Sequence, residues 1–361
     1  MRSAEDVLSL DAAGLYCKPG GFHVDPMRPV ARAIVTHGHS DHARPGHGVV
    51  AATEETLAIM AIRCGEGFCG SRRALAYGET VRVGEVDVTL FPAGHVLGSA
   101  QVLIEWRGFR VVISGDYKRE RDPTCAAFEP VRCDAFVTEA TFALPVFRHP
   151  PAAGEVGKLL ASLALFPERA HLVGAYSLGK AQRVIALARE AGHDAPILIH
   201  GALDKLCRFY EAAGVPLGPL EPATGRNKAD LAGKLVICPP SATRDAWARR
   251  FPDPVTAFAS GWMRIRARAR QAGAELPLVI SDHADWDDLC ETILDTEAEE
   301  VWVTHGQEEA LVHWCGENGI RARPLHLIGY GEEEDAAPAA DPAASPAPGP
   351  DASAAGGEPA P

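Results

Sequence analysis

No stretch of this 361-residue chain approaches the roughly 18 uninterrupted apolar residues that a membrane span requires, which argues against a transmembrane helix. The opening MRSAEDVLSLDAAG has neither the basic nor the apolar segment of a secretory signal, so a cytoplasmic location is expected. A disulfide framework is missing too: nine cysteines, an odd number, are scattered through apolar surroundings such as those of Cys238 and Cys290, as reduced core thiols are. Only Cys64 and Cys69 lie close together, and without a second pair they read as half-buried thiols rather than a structural zinc site. Positive charge is in short supply. A net charge of −13 argues at first against a polyanionic partner, but seven acids and no basic residue fall from Glu332 onward, leaving −6 for the body. Bound cations would offset part of that remainder.

What is present divides by rhythm. From Glu332 the chain is Ala, Pro, Gly, Ser and acid, with nothing large to bury, and residues 332–361 are expected to be a disordered tail. Up to about Pro150 short β-branched runs bounded by Gly, Pro or Asp predict strands (GLYC, GFHV, RAIVTH, ETVRVG, VDVTLFP, QVLIEW, FRVVISGD, DAFVTEA), with one helix in EETLAIMAIRCG. From there to about residue 274, helical segments alternate with short strands, and TRDAWARRF also reads as a helix; the alternation predicts an α/β layer with a parallel sheet. Residues 275–331 repeat strand, helix, strand, helix, and no solenoid repeat is evident.

The strongest chemical signal is AIVTHGHSDHARPGH, in which an apolar strand runs into His37, His39, Asp41 and His42. That spacing does not fit one face of a helix, so the four side chains must gather in a loop at a strand end. Packed so tightly, they would repel one another once protonated and be costly to bury without a cation. Imidazole with carboxylate suits zinc first, with manganese or iron as alternatives. The same pattern of apolar strand followed by a ligand-type residue recurs at His95, at Asp116 in SGD, at Asp282 and His283 in SDH, and at His305 in THG. Such endings are what a sheet edge lined by an active site leaves in a sequence.

The motif H-x-H-x-D-H, with a downstream His and the Asp of SGD, resembles the metallo-β-lactamase superfamily over residues 10–330, and Asp25 in HVDP resembles its first motif. Glu139 in TEAT, His283 and His305 resemble motifs A, B and C of the β-CASP nucleases, and VGAYSLGKAQRV resembles an element of their cap. Taken with ASGWMRIR and SDHADW, the whole is most similar to bacterial exonucleases associated with DNA ligase in DNA damage response. The resemblance implies an αββα sandwich from residues 1–149 and 275–331, with a β-CASP α/β cap inserted at 150–274. It implies two divalent cations, zinc or manganese: one held by His37, His39 and His95, the other by Asp41, His42 and His305, with Asp116 bridging. Asp41, Glu139 and His283 are then the catalytic candidates. Two cations so placed trap and activate a hydroxide for in-line attack on a phosphodiester, and His283, paired with Glu139, serves as acid or phosphate contact.

A DNA exonuclease working beside an ATP-dependent ligase and a helicase is the main expectation. A His at motif C instead favours the RNA-cleaving type, such as an mRNA 3′-end-processing nuclease, as the alternative. A non-catalytic scaffold would have lost ligands, and a small-molecule hydrolase has no use for a cap. For substrate, Ser177, Lys180, Ser260, Arg264 and Arg266 are candidates. Between Arg244 and Arg270 seven arginines face two aspartates, a phosphate-tracking surface or a solvated helix. Trp262 reads as a base-stacking platform or a core residue, and Ser177 as a phosphate contact or a plain helix cap.

Overall fold

The computed structural model describes residues 2–325; the acidic segment 332–361 expected to be a tail lies outside them. Two sheets carry the sandwich. In the first, six strands run in chain order, Leu8–Asp11, Gly14–Cys17, Phe22–Val24, Arg32–Ile34, His47–Ala52 and Cys69–Ala74. In the second, Arg321–Pro324, Glu300–Gly306, Ala135–Ala140, Phe109–Ile113, Ala100–Trp106, Val86–Pro92 and Thr80–Val83 lie side by side. The alternation of apolar residues puts Val88, Leu90, Ile104 and Val111 of the second sheet against Leu15, Val24 and Ile34 of the first. Helix Glu54–Cys64 covers the outer face of the first sheet through Leu57 and Met60. Helices Trp286–Thr296 and Glu308–Glu317 cover the second through Leu289, Ile293, Leu311 and Cys315. The layers are therefore α, β, β, α, as expected.

A third sheet, parallel throughout, is ordered Leu220–Pro222, Ile197–Ile199, Leu235–Cys238, His171–Gly174, Val255–Ala259 and Leu276–Leu278. Helices Ala152–Leu165, Lys180–Glu190 and Asp204–Ala212 pack on one face of it, as parallel crossovers require. The unit is an excursion between Ala135–Ala140 and Glu300–Gly306, which pair directly in the second sheet. Its last strand, Leu276–Leu278, falls in the segment assigned from sequence to the completed sandwich, but hydrogen-bonds to Val255–Ala259 of the third sheet. The segment TRDAWARRF is not an α-helix: it makes 3-10 turns at Pro240–Thr243 and Ala248–Arg250. Between them the Asp245 carboxylate takes the Trp247 amide at 2.7 Å, a local hydrogen bond that competes with helix continuation. Among the described residues no helix is long and apolar enough to cross a membrane, and none of the nine cysteines is in a disulfide.

Candidate metal centre and cleft

The residues that end the sandwich strands meet at one edge, around Asp116. Its carboxylate lies 3.4 Å from His37 Nε2, 3.4 Å from His42 Nε2, 3.8 Å from His95 Nε2 and 3.7 Å from His305 Nδ1. Of the donor groups that share it, two match the expected ligands, His37, His39, His95 and Asp116 on one side and His42, Asp116 and the half-buried His305 on the other; a third joins it to Glu139 and His283. These are the residues the sequence motifs pointed to, Asp41 excepted. Asp41 is in none of these groups; it flanks His42, with its Oδ2 3.7 Å from Nε2.

Local backbone features put each donor in place. Gly115 takes φ +56, and a Cβ there would meet Thr36 Oγ1 at 2.7 Å, so only glycine lets the Asp116 strand end approach the His37 loop this closely. His305 is the extra residue of a β-bulge: Glu139 pairs with Thr304 and Ala140 with Gly306, leaving His305 at φ +57 and turned toward Asp116. Asp25, also in the left-handed region at φ +45, accepts from Thr36 N at 2.8 Å, Thr36 Oγ1 at 2.7 Å and His42 Nδ1 at 2.8 Å.

The hydrogen bonds fix which nitrogen of each ring faces the centre. His42 gives its Nδ1–H to Asp25, which turns Nε2 toward Asp116. Thr36 Oγ1 spends its proton on Asp25 and accepts at 3.0 Å from His37 Nδ1, leaving His37 Nε2 a buried atom with no hydrogen-bond partner. His95 Nδ1 donates to Asp282 O at 2.8 Å, and His39 Nε2 to Leu178 O at 3.3 Å. The remaining atoms, His95 Nε2 and His39 Nδ1, meet at 2.9 Å on the side of the centre. Partners of this kind on the far nitrogens are what orient metal-ligating histidines. The donor set therefore fits a pair of divalent ions.

Electrostatics divide the rings: burial alone would depress His42, yet Asp116 and Asp41 outweigh it and hold its pKa well above the ordinary value. Burial, aided by neighbouring rings, takes the pKa of His95 and His305 down to about 3 and that of His37 well below its ordinary value, so these rings are neutral donors. Burial would raise Asp116, but His42 and His37 hold its carboxyl well below the usual range. Glu139 is buried and pushed up by desolvation; it accepts from Tyr117 N at 2.7 Å and holds His283 Nδ1 at 2.9 Å. Burial alone would depress His283, yet Glu139, Asp116 and Asp282 outweigh it and raise its pKa to about 10.

A cleft of about 880 Å³ lies along the third sheet, lined by Ser40 of the histidine loop and by Ser177, Ser260, Trp262, Arg244 and Arg268 among others; none of the donors lines it. Ser177 and Ser260 thus face it, although Ser260 also caps its own turn by accepting from Trp262 N. Lys180 does not face the cleft: it is fully buried and bound to Asp282 at 2.6 Å, so the expected phosphate contact is an internal ion pair. Helix Lys180–Glu190 is capped by Gln182, whose Oε1 accepts from Gly179 N at 2.8 Å, and not by Ser177. Arg264 and Arg266 are exposed but do not line the cleft; Arg268 does, lying 4.7 Å over the Trp262 ring. Trp262 packs against Phe142 and Phe147 with centroids 5.0 and 5.1 Å away, as expected of a core residue, and it also lines the cleft. Arg63, which sequence reading does not single out, also lines the cleft and donates to Gly38 O beside the histidine loop; an arginine in a helix carries no distinguishing signal.

No family model matches the chain. Over 317 residues it is 29% identical to a probable DNA ligase of Opitutus terrae, covering 86% of this chain and 30% of that protein. It is 31% identical over 141 residues to cleavage and polyadenylation specificity factor subunit 3 of Dictyostelium discoideum, and 32% identical over 144 residues to endoribonuclease YSH1 of Saccharomyces cerevisiae. Each of these matches covers 36% of this chain and 18% of the relative, so the chain spans less than a third of the curated relatives it matches. A solved protein of unknown function from Enterococcus faecalis shares the fold at a TM-score of 0.55 and 16% identity, over 83% of this chain and 80% of that one. The similarities agree with the metallo-β-lactamase resemblance of the motifs, and the paired donor clusters are consistent with that fold.

Proposed function

We propose that this chain is a metal-dependent nuclease that hydrolyses phosphodiester bonds, with RNA as its substrate class. The observation that carries the reading is the convergence of buried His and Asp donors on Asp116, in a structure whose large cleft is lined in part by Ser40 of the same histidine loop. His37, His39, His95 and Asp116 would hold one divalent cation, and His42, His305 and Asp116 the other, with Asp41 beside His42. When bound, such cations supply Lewis-acid stabilisation of the charge that builds at phosphorus and lower the pKa of water. The protein's own groups do the rest. Asp25 fixes His42, and Thr36 fixes His37, so that the Nε2 atom of each ring faces the centre. His283, kept protonated by Glu139, would give a proton to the leaving oxygen. Arg63, Arg244 and Arg268 along the cleft would neutralise phosphates of the bound strand. The third α/β unit, placed as a β-CASP cap would be, forms the far wall.

The RNA assignment draws on the endoribonuclease and polyadenylation-factor relatives and on His305 facing the centre. A second reading, a DNA exonuclease acting in repair beside a ligase and helicase, is favoured by one observation: the match to a probable DNA ligase spans 86% of the chain. Both readings are tested by incubating the protein with end-labelled RNA and DNA of one sequence, single- and double-stranded, with zinc or manganese. RNA cleavage abolished in Asp116→Ala is the expected result; cleavage of DNA alone would transfer the assignment to the second reading. Absence of cleavage of either, in a folded and metal-loaded protein, would refute both.

A further inference from the structure

Two of the histidines at the metal centre are oriented by one short stretch of the third unit. The carbonyl of Leu178 faces His39 Nε2 at 3.3 Å. Two residues on, Lys180 Nζ grips Asp282 Oδ1 at 2.6 Å, and the backbone carbonyl of that same Asp282 receives His95 Nδ1 at 2.8 Å. One turn further, Arg183 Nη1 donates to Ser281 O at 2.5 Å. Residues 281 and 282 are thus held by helix Lys180–Glu190 at a side chain and at the preceding carbonyl. Gly179, at φ +81, allows the close approach: a Cβ there would lie 2.3 Å from Val96 Cγ1, next to His95.

Lys180 is wholly buried and Asp282 nearly so. Burying an ion pair generally gains little stability over apolar residues of the same volume, because desolvation offsets the attraction. What an apolar pair could not do is fix the rotation of the 282 peptide, and with it the direction of the carbonyl that sets the His95 ring.

We propose that Lys180 is a positioning residue for the metal centre: by clamping Asp282 it aims His95, and it thereby couples cation binding at the His37, His39 and His95 group to the seating of the third unit on the sandwich. This rests on that group being a metal site. Three proteins are compared after metal stripping: wild type, Asp282→Asn, and the double variant Lys180→Met with Asp282→Asn, which strands no buried charge. Zinc affinity is read by chelator competition, cobalt geometry from its visible absorption, and fold from urea denaturation without metal. In the double variant one of two cations should bind about tenfold or more weakly, with an altered cobalt spectrum, while the urea transition stays cooperative. Asp282→Asn alone should lose at least about threefold, and it decides the matter if the double variant does not fold. Wild-type affinity and spectrum in the deciding variant would overturn the proposal. If the wild-type protein itself takes up no zinc or cobalt, the metal-site reading fails first and the coupling falls with it.

Discussion

Asp25 touches no substrate and belongs to neither donor group, yet Asp25→Ala should damage both fold and function. Its carboxylate accepts three hydrogen bonds at 2.7–2.8 Å, from Thr36 N, Thr36 Oγ1 and His42 Nδ1, all in buried surroundings. Alanine leaves those donors without an acceptor, at about 1–3 kcal/mol apiece, so a total of about 3–9 kcal/mol is expected, less whatever water recovers. Two rings lose their orientation as well. His42 is free to turn, and Thr36 Oγ1, no longer committed to Asp25, can donate toward His37 instead of accepting. Loss of such outer support typically lowers metal affinity about 10–100-fold. Urea denaturation of the metal-free protein reads the first effect and zinc competition the second. A variant with wild-type stability and wild-type zinc affinity would refute the tautomer scheme on which the centre is built.

Other outcomes follow from the same geometry. Arg183, fully buried, meets Glu120 at 2.9 Å and the buried Asp122 at 3.5 Å; Arg183→Met strands the Asp122 charge and should cost about 3–5 kcal/mol in urea denaturation. Neither ring nitrogen of His149 has a hydrogen-bond partner, and burial, helped by Lys118 and Lys180, lowers its pKa to about 3. Because its folded pKa lies below the unfolded value near 6.5, it contributes stability above pH 6.5 that is lost as pH falls toward 3. His149→Phe, beside Phe142 and Phe147, should therefore remove about 2 kcal/mol of destabilisation at pH 5 relative to pH 7, read as a flatter stability profile; an unchanged profile would contradict it.

The donors were legible in the sequence because each closes an apolar strand, and strand ends at one sheet edge are forced together by the fold. His95, Asp116 and His305, far apart in the chain, needed only that rule. The strands of the first half and the separate parallel unit were legible for a similar reason, since alternation and βα rhythm are local, whereas the αββα layering came only with the family resemblance. Three things were not legible. Strand Cys69–Ala74 is exposed along most of its length and carries Arg72 and Arg73, so it shows no apolar pattern. The bulge that turns His305 inward depends on a register between two strands more than 160 residues apart. The fate of Lys180 could not be read from its own neighbourhood either, since a lysine at a helix start looks the same whether it meets a phosphate or, as here, an aspartate from a distant loop.

Metal content addresses the whole scheme. Protein stripped with chelator, reloaded with zinc and freed of excess should retain about two equivalents per chain by elemental analysis. Asp116→Ala, still folded, should retain fewer, since both groups of donors share that carboxylate. Full retention by Asp116→Ala, or no zinc held by the intact protein, would contradict it.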